Sequence, residues 1–172
     1  GAILADPNGN NVAGESYVVF GKSGGFAHAM DLDDLDGTTG FRLEGIDPRD
    51  LSGVSVSSAG DVNDDGFDDL IIGAVEADSG ENIEAGESYV VFGKSNGFVS
   101  AIELSTLDGT TGFRLDGIDT MDRSGRQVSN AGDVNGDGFD DLIISAYFAD
   151  PNGNSQAGES YVVFGKSGSF AS

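Results

Sequence analysis

The 172-residue chain contains no cysteine and no tryptophan, a single histidine and only three prolines. Without cysteine it cannot build a disulfide framework, and without thiolates or a set of imidazoles it cannot offer a soft metal its preferred ligands. It also has no apolar stretch long enough to cross a membrane as a helix, so we expect no membrane insertion. Any metal site in this chain must therefore be built from oxygen ligands.

Basic residues are scarce as well. Eight lysines and arginines stand against 30 aspartates and glutamates, which gives a formal net charge of −22. A surface of this charge repels phosphate groups, so we expect neither nucleic acids nor anionic membrane surfaces as natural partners. The charge favours cations instead.

A nine-residue acidic segment occurs twice, as DVNDDGFDD from residue 61 and as DVNGDGFDD from residue 133. We call these segments the first acidic loop (61–69) and the second acidic loop (133–141). Side-chain oxygens at positions 1, 3 and 5 alternate with other residues, and a glycine at position 6 lets the chain turn and present the next carbonyl. An aspartate at position 9 completes a set of oxygens suited to Ca²⁺. The predicted ligands are Asp61, Asn63, Asp65, the Phe67 carbonyl and Asp69, and then Asp133, Asn135, Asp137, the Phe139 carbonyl and Asp141.

Two other structures share parts of this pattern. An EF-hand requires a bidentate glutamate at position 12, where this chain has Ile72 and Ile144, and the runs LIIGAV and LIISAY that follow the loops are strand-like rather than helical. Ordinary hairpin turns also use Asp-Gly and Asn-Gly pairs, but they give no reason to keep five oxygen positions through a duplication. The sequence therefore predicts a calcium loop between two strands in each copy.

The rest of the chain repeats at the same interval of 72 residues, since GESYVVFGKS begins at Gly14, Gly86 and Gly158. We predict four strands per interval, at 54–59, 70–74, 87–92 and 112–115, with the acidic loop between the first and the second. Tyr89 and Val91 are expected to face one neighbouring repeat, and Val90 and Phe92 the other. Four antiparallel strands per repeat is the content of a propeller blade, so the expected fold is an all-β partial β-propeller.

The repeat boundaries predict about one complete and two incomplete blades. Residues 1–51 are expected to form an incomplete first blade with strands two to four, 52–123 the complete central blade, and 124–172 an incomplete last blade. Incomplete blades leave strand edges and apolar faces in water, which favours self-association in a ring, with a trimer slightly favoured over a dimer.

The segments AGDVNDDGFDDLIIGAV (59–75) and AGDVNGDGFDDLIISAY (131–147) resemble the FG-GAP repeats of the integrin α-subunit N-terminal β-propeller and of bacterial relatives. The chain departs from the family pattern where a blade starts, with Ser-Gly in place of an aromatic-Gly pair, and where the Gly-Ala-Pro motif ends, with Val75 and Tyr147 in place of proline. The resemblance implies that calcium is bound on one rim of a propeller and that its role is structural.

This pattern favours a non-catalytic calcium-binding module of a large exported bacterial protein, acting at the cell surface or outside the cell in adhesion or protein interaction. Its export signal is expected to lie outside this sequence. One alternative is the propeller of a secreted hydrolase, although the only histidine, His28, has Ser100 as its counterpart in the next repeat. Another is a lectin-like carbohydrate-binding module. Phe26, Phe98 and Phe170 recur at one spacing and are expected to pack in the core or in turns rather than to hold sugar.

Overall fold

The computed structural model describes residues 1–168 and 170, and its regular structure is almost entirely β. Four 3₁₀ helices of three residues each are the only helical elements in this part of the chain, and none could span a membrane. The helices are Pro7–Gly9, Leu32–Asp34, Leu104–Thr106 and Pro151–Gly153. The strands are β1 (Glu15–Val19), β2 (Gly40–Glu44), β3 (Ser52–Gly60), β4 (Asp69–Ala74), β5 (Glu87–Val91), β6 (Ala101–Glu103), β7 (Gly112–Asp116), β8 (Ser124–Gly132), β9 (Asp141–Ala146) and β10 (Glu159–Val163).

The central sheet contains four antiparallel strands in the order β3-β4-β5-β7. Each corresponds to one of the four strands predicted for a repeat interval, with bounds that differ by at most two residues. A last sheet repeats the first three of these strands as β8-β9-β10. The sheets do not close into a ring, and the fold is that of a partial β-propeller, as predicted.

The first sheet differs from the prediction. Residues 1–51 supply two strands, β1 and β2, rather than three, because the counterpart of β4 is represented only by an isolated bridge between Ala2 and Glu15. The third strand of this sheet is β6, which comes from the central repeat and pairs in parallel with β2. The central repeat therefore extends a segment across to the outer edge of the preceding sheet.

The central sheet is buried on both faces. Ile72, Tyr89 and Val91 pack against Phe41 and Leu43 of the first sheet. On the opposite face, the central residues Ile71, Val90 and Phe92 pack against the last-sheet residues Val128, Leu142 and Ile144. The predicted division of the β5 side chains between two neighbours is confirmed, and all five residues of β5 are buried as an inner strand requires.

Glycines let the backbones of neighbouring sheets approach closely. A Cβ atom built on Gly73 in β4 would lie far inside van der Waals distance of the Gly125 carbonyl oxygen in β8. Gly86 and Gly14 stand in the same relation to the backbones of Ser124 and Ser52. At these points the backbones of neighbouring sheets are therefore in contact, and no side chain fits between them.

In the central and last repeats, one phenylalanine of each repeat stacks on a phenylalanine of the preceding sheet. Phe98 stacks on Phe41 with ring centroids 4.3 Å apart, and Phe170 stacks on Phe113 at 4.2 Å. This confirms the expected packing role for two of the three repeated phenylalanines. Phe26 has no such partner among the described residues and is 56% exposed.

Burial of Asp50 in the folded protein makes the stability of the fold depend on pH. It is buried, and its carboxylate accepts the Asp47 N–H at 3.0 Å. Burial raises the pKa of Asp50 to about 6, with nearby acidic groups acting in the same direction. Because the folded state holds the proton more tightly than the unfolded chain, stability falls as pH rises from about 4 to about 6 and stays lower above that range.

We expect Asp50→Asn to stabilise the protein at pH 7 by up to about 3 kcal/mol and to have little effect at pH 3, because the amide is neutral at both pH values. Urea unfolding of the variant and the wild type at both pH values measures this. Asp36→Asn serves as a control, because its effect on stability at pH 7 is expected to have the opposite sign. Hydrogen bonds from Thr38 and Thr39 lower the pKa of the Asp36 carboxyl, so this variant should lose stability at pH 7. A pH-independent effect at residue 50 would contradict the account.

Candidate calcium loops

Each acidic loop connects the first two strands of a sheet. The first acidic loop joins β3 to β4, whose ends pair at Gly60 and Asp69, and the second joins β8 to β9, whose ends pair at Gly132 and Asp141. Both loops are hairpin connections at the same end of their sheets. The predicted position between first and second strands is therefore confirmed.

Side chains at positions 1, 3 and 5 of the first acidic loop turn inward. The Asp61 carboxylate accepts the Gly66 N–H at 2.9 Å and the Asp65 N–H at 3.1 Å. The Asn63 side-chain oxygen accepts the same Asp65 N–H at 3.0 Å, and the Asp65 carboxylate accepts the Phe67 N–H at 3.0 Å. The side-chain oxygens at positions 1, 3 and 5 therefore face the backbone N–H groups inside one tight turn.

The second acidic loop has the same hydrogen bonds. Asp133 accepts the N–H of Gly138 at 2.9 Å and that of Asp137 at 3.0 Å, and Asn135 accepts the N–H of Asp137 at 2.9 Å. Asp137 accepts the Phe139 N–H at 3.0 Å. These four distances agree with those of the first loop to within 0.1 Å, so the two loops adopt the same turn.

Position 4 differs between the copies for a conformational reason. Asp64 has φ 58° and Gly136 has φ 78°, so both lie in the left-handed region. Glycine adopts this region freely and aspartate tolerates it. Both residues are exposed. The sequence showed only that position 4 varies, and the structure supplies the backbone requirement that the two residues share.

Position 9 anchors each loop to its sheet. The buried Asp69 carboxylate accepts the Val62 N–H at 3.1 Å and the Gly93 N–H at 2.8 Å, and Asp141 makes the equivalent bonds to Val134 and Gly165. Burial, with smaller contributions from Asp65 and Asp61, raises the pKa of Asp69 to about 6. Position 9 thus ties the loop to the end of the third strand, a contact that the sequence pattern did not indicate.

The donor set fits a hard cation. In the described residues no three carboxylate or histidine groups converge as a preformed cluster, and the position-9 aspartate of the first loop bonds to backbone amides. All the predicted donors are nevertheless oxygens, and an oxygen that accepts one N–H keeps a second lone pair. Asp65 and Asp137 are exposed, so a cation can enter each loop from solvent. This chemistry matches Ca²⁺ rather than a soft metal.

No catalytic arrangement is evident in the described part of the chain. His28 is exposed and forms no hydrogen bond there. The hydroxyl oxygens of Ser16, Ser52 and Ser88 are buried without a hydrogen-bond partner in this part of the chain, at the close contacts between sheets. A buried hydroxyl with no adjacent base lacks the activation that a serine nucleophile needs.

Comparison with known proteins places these loops in a family. Residues 52–91 and 124–163 match the model of the FG-GAP repeat. Phosphatidylinositol-glycan-specific phospholipase D of Rattus norvegicus is 34% identical over 145 residues, which are 84% of this chain and 16% of that protein. Integrin alpha-5 of Xenopus laevis is 29% identical over 162 residues, 91% of this chain and 14% of the integrin. Integrin alpha-PS2 of Drosophila melanogaster is 31% identical over 117 residues, 66% of this chain and 8% of the integrin.

The chain spans no more than 16% of the length of these three relatives. The two matched segments each begin at the first strand of a sheet, include the acidic loop, and end at or near the third strand. Each of the two matched segments thus corresponds to the first three strands of one sheet together with its acidic loop. The chain belongs to the integrin-like FG-GAP repeat family, and its open sheets form part of a β-propeller.

Proposed function

We propose that this chain is a calcium-binding, non-catalytic part of an integrin-like β-propeller, with one Ca²⁺ in each acidic loop. The observation that carries the proposal is the duplicated turn in which the side-chain oxygens at positions 1, 3 and 5 point inward with the same hydrogen bonds in both copies. Positions 1, 3, 5 and 9 and the position-7 carbonyl would hold the ion. The bound ion would supply positive charge that offsets the loop carboxylates.

The role of the ion in this proposal is structural. Each loop closes the hairpin that starts a sheet, and its position-9 aspartate also holds the end of the third strand. An ion bound there stabilises three strands together. This role suits a protein exposed to millimolar calcium, in which loops of modest affinity are filled. We therefore propose an extracellular or cell-surface location and a role in adhesion or protein interaction for a larger, exported bacterial protein.

Calcium stoichiometry tests the proposal. We expect equilibrium dialysis to find two Ca²⁺ per chain in the wild type and one in Asp65→Ala or Asp137→Ala, because each substitution removes a charged donor from one loop. Asp64→Gly is the matched control, since position 4 supplies no donor and its glycine counterpart, Gly136, occupies the same backbone conformation. Two ions retained in both alanine variants, or none bound by the wild type, would contradict the proposal.

The resemblance to a phospholipase D does not extend to a proposed activity here. The matched region is 16% of that enzyme, and His28 forms no hydrogen bond within the described residues. We expect no turnover of phosphodiester, carboxylic ester or glycoside substrates by this chain. Hydrolysis that is lost in His28→Ala would show that the chain is catalytic after all. Two further predictions from the sequence are kept as predictions. One is that the chain binds a protein or carbohydrate ligand, and the other is that it self-associates.

A further inference from the structure

The two acidic loops are in direct contact, although they belong to different sheets. The Asp140 carboxylate, at position 8 of the second loop, accepts the backbone N–H of Asp61 at 3.0 Å. The backbone N–H of Asp140 in turn donates to the Asp61 carbonyl oxygen at 3.3 Å. Asp61 is position 1 of the first loop, so the second loop holds the residue with which the first loop begins.

A second link runs parallel to the first. Asp141, at position 9 of the second loop, accepts the Gly165 N–H at 2.9 Å. The next residue, Lys166, donates its backbone N–H to the Val62 carbonyl oxygen at 2.9 Å. The backbone of both Asp61 and Val62 is therefore fixed by residues of the following repeat.

The equivalent residue in the first loop makes no such contact within the described residues, where no acidic loop precedes it. Asp68 is also at position 8, but it is exposed, whereas Asp140 is partly buried. Throughout the described residues, no backbone or side-chain group donates a hydrogen bond to the Asp68 carboxylate. An aspartate therefore occupies position 8 in both loops, and in the described part of the chain only Asp140 forms a hydrogen bond to another sheet. Asp68 can serve as its matched control.

We propose that Asp140 is a positioning residue that couples the two calcium sites, so that calcium in the second acidic loop raises the affinity of the first. The proposal rests on the proposed calcium-binding function. Calcium in the second loop fixes the turn that carries Asp140, and Asp140 fixes the backbone of Asp61. The Asp61 carboxylate then remains oriented toward the loop interior, where it accepts the Gly66 N–H. By linkage, calcium in the first loop must favour binding in the second by the same factor.

The two sites can be followed separately by NMR titration with calcium chloride, through the amides of Gly66 and Gly138. Each amide donates to the position-1 carboxylate of its own loop at 2.9 Å, so each reports on its own site. In Asp140→Ala we expect calcium affinity at the first loop to fall about tenfold, the scale of a lost hydrogen bond to a charged group. When the first site is disabled by Asp65→Ala, adding Asp140→Ala should change affinity at the second loop by less than about threefold, since Asp140 is not one of the donors of its own loop.

Two matched variants separate positioning from charge. Asp140→Asn removes the charge but keeps an oxygen that can accept the Asp61 N–H, and Asp68→Ala removes the equivalent side chain from the first loop. We expect both to weaken the first site by less than about threefold. Asp137→Ala, which disables the second site, should weaken the first site about tenfold in the wild-type background and not further in Asp140→Ala.

If Asp140→Ala weakens the first site no more than Asp140→Asn or Asp68→Ala does, the coupling role is wrong, although calcium binding itself stands. If calcium moves neither glycine amide, the proposed calcium-binding function fails and the coupling fails with it. The dispersion of the remaining amide signals shows whether each variant is folded.

Discussion

Removal of calcium is expected to lower the melting temperature of this protein by about 10–20 °C. Binding at a free calcium concentration a hundredfold above the dissociation constant stabilises the folded state by about 2.7 kcal/mol per site, or about 5 kcal/mol for two sites. A domain of this size shifts by about 2–4 °C per kcal/mol. Thermal unfolding followed by circular dichroism, in excess calcium and in excess chelator, measures the difference.

The physical reason lies in the charge of the loops. Nine carboxylates belong to the two nine-residue loops, and the whole chain has a formal net charge of −22. The fold holds the oxygens at positions 1, 3 and 5 close together. Without a cation between them the loop carboxylates repel one another, and this repulsion destabilises the folded state. Asp65→Ala and Asp137→Ala should each remove at least half of the calcium-dependent increase, because loss of one site also weakens the other, and Asp64→Gly should retain it. A melting temperature that chelator leaves unchanged would show that the loops fold without a metal.

Replacement of Gly73 by alanine is expected to destabilise the protein by at least about 3 kcal/mol, near the upper end of the effects of overpacking. Gly73 lies where β4 meets β8, and a Cβ atom there would collide with the carbonyl oxygen of Gly125. The neighbouring atom is backbone, so it cannot rotate away as a side chain could. Only a shift of the last sheet away from the central sheet would relieve the clash, and that shift exposes the core around Val128 and Leu142.

Urea unfolding of Gly73→Ala beside Gly21→Ala tests this inter-sheet contact. A Cβ atom on Gly21 would meet no atom within 4 Å, and the φ of Gly21 is not left-handed, so its alanine variant should be as stable as the wild type. The last repeat offers a second comparison, because Ser145 occupies the position of Gly73 where no further sheet follows within the described residues. If Gly73→Ala proves as stable as Gly21→Ala, the sheets are not held in backbone contact.

Most of the central sheet could be predicted from sequence because local patterns and the internal repeat agree. ESYVV at Glu87–Val91 has apolar residues on both faces, which is typical of an inner strand, and the structure buries both faces. The donors of the acidic loops lie within nine residues of one another. Their inward geometry depends on local turns and on glycine, so alternation in the sequence was sufficient to predict it.

The sequence predicted that apolar side chains pack between repeats, but it did not predict the backbone pairing and the polar contacts between repeats. The strand β6 has only three residues, too few to show periodicity, and it pairs with β2 of another repeat. Asp140 contacts Asp61 across 79 residues of chain, and nothing in its own loop distinguishes it from Asp68. Such contacts depend on how sheets stack, which is determined by packing rather than by local propensity.

A crystal structure grown in calcium tests the central claim most directly. We predict one ion in each acidic loop, about 2.3–2.6 Å from oxygens of the residues at positions 1, 3, 5, 7 and 9, with the β-sheets otherwise arranged as described. Loops that keep their hydrogen bonds but show no ion density at millimolar calcium would contradict the claim that they are calcium sites.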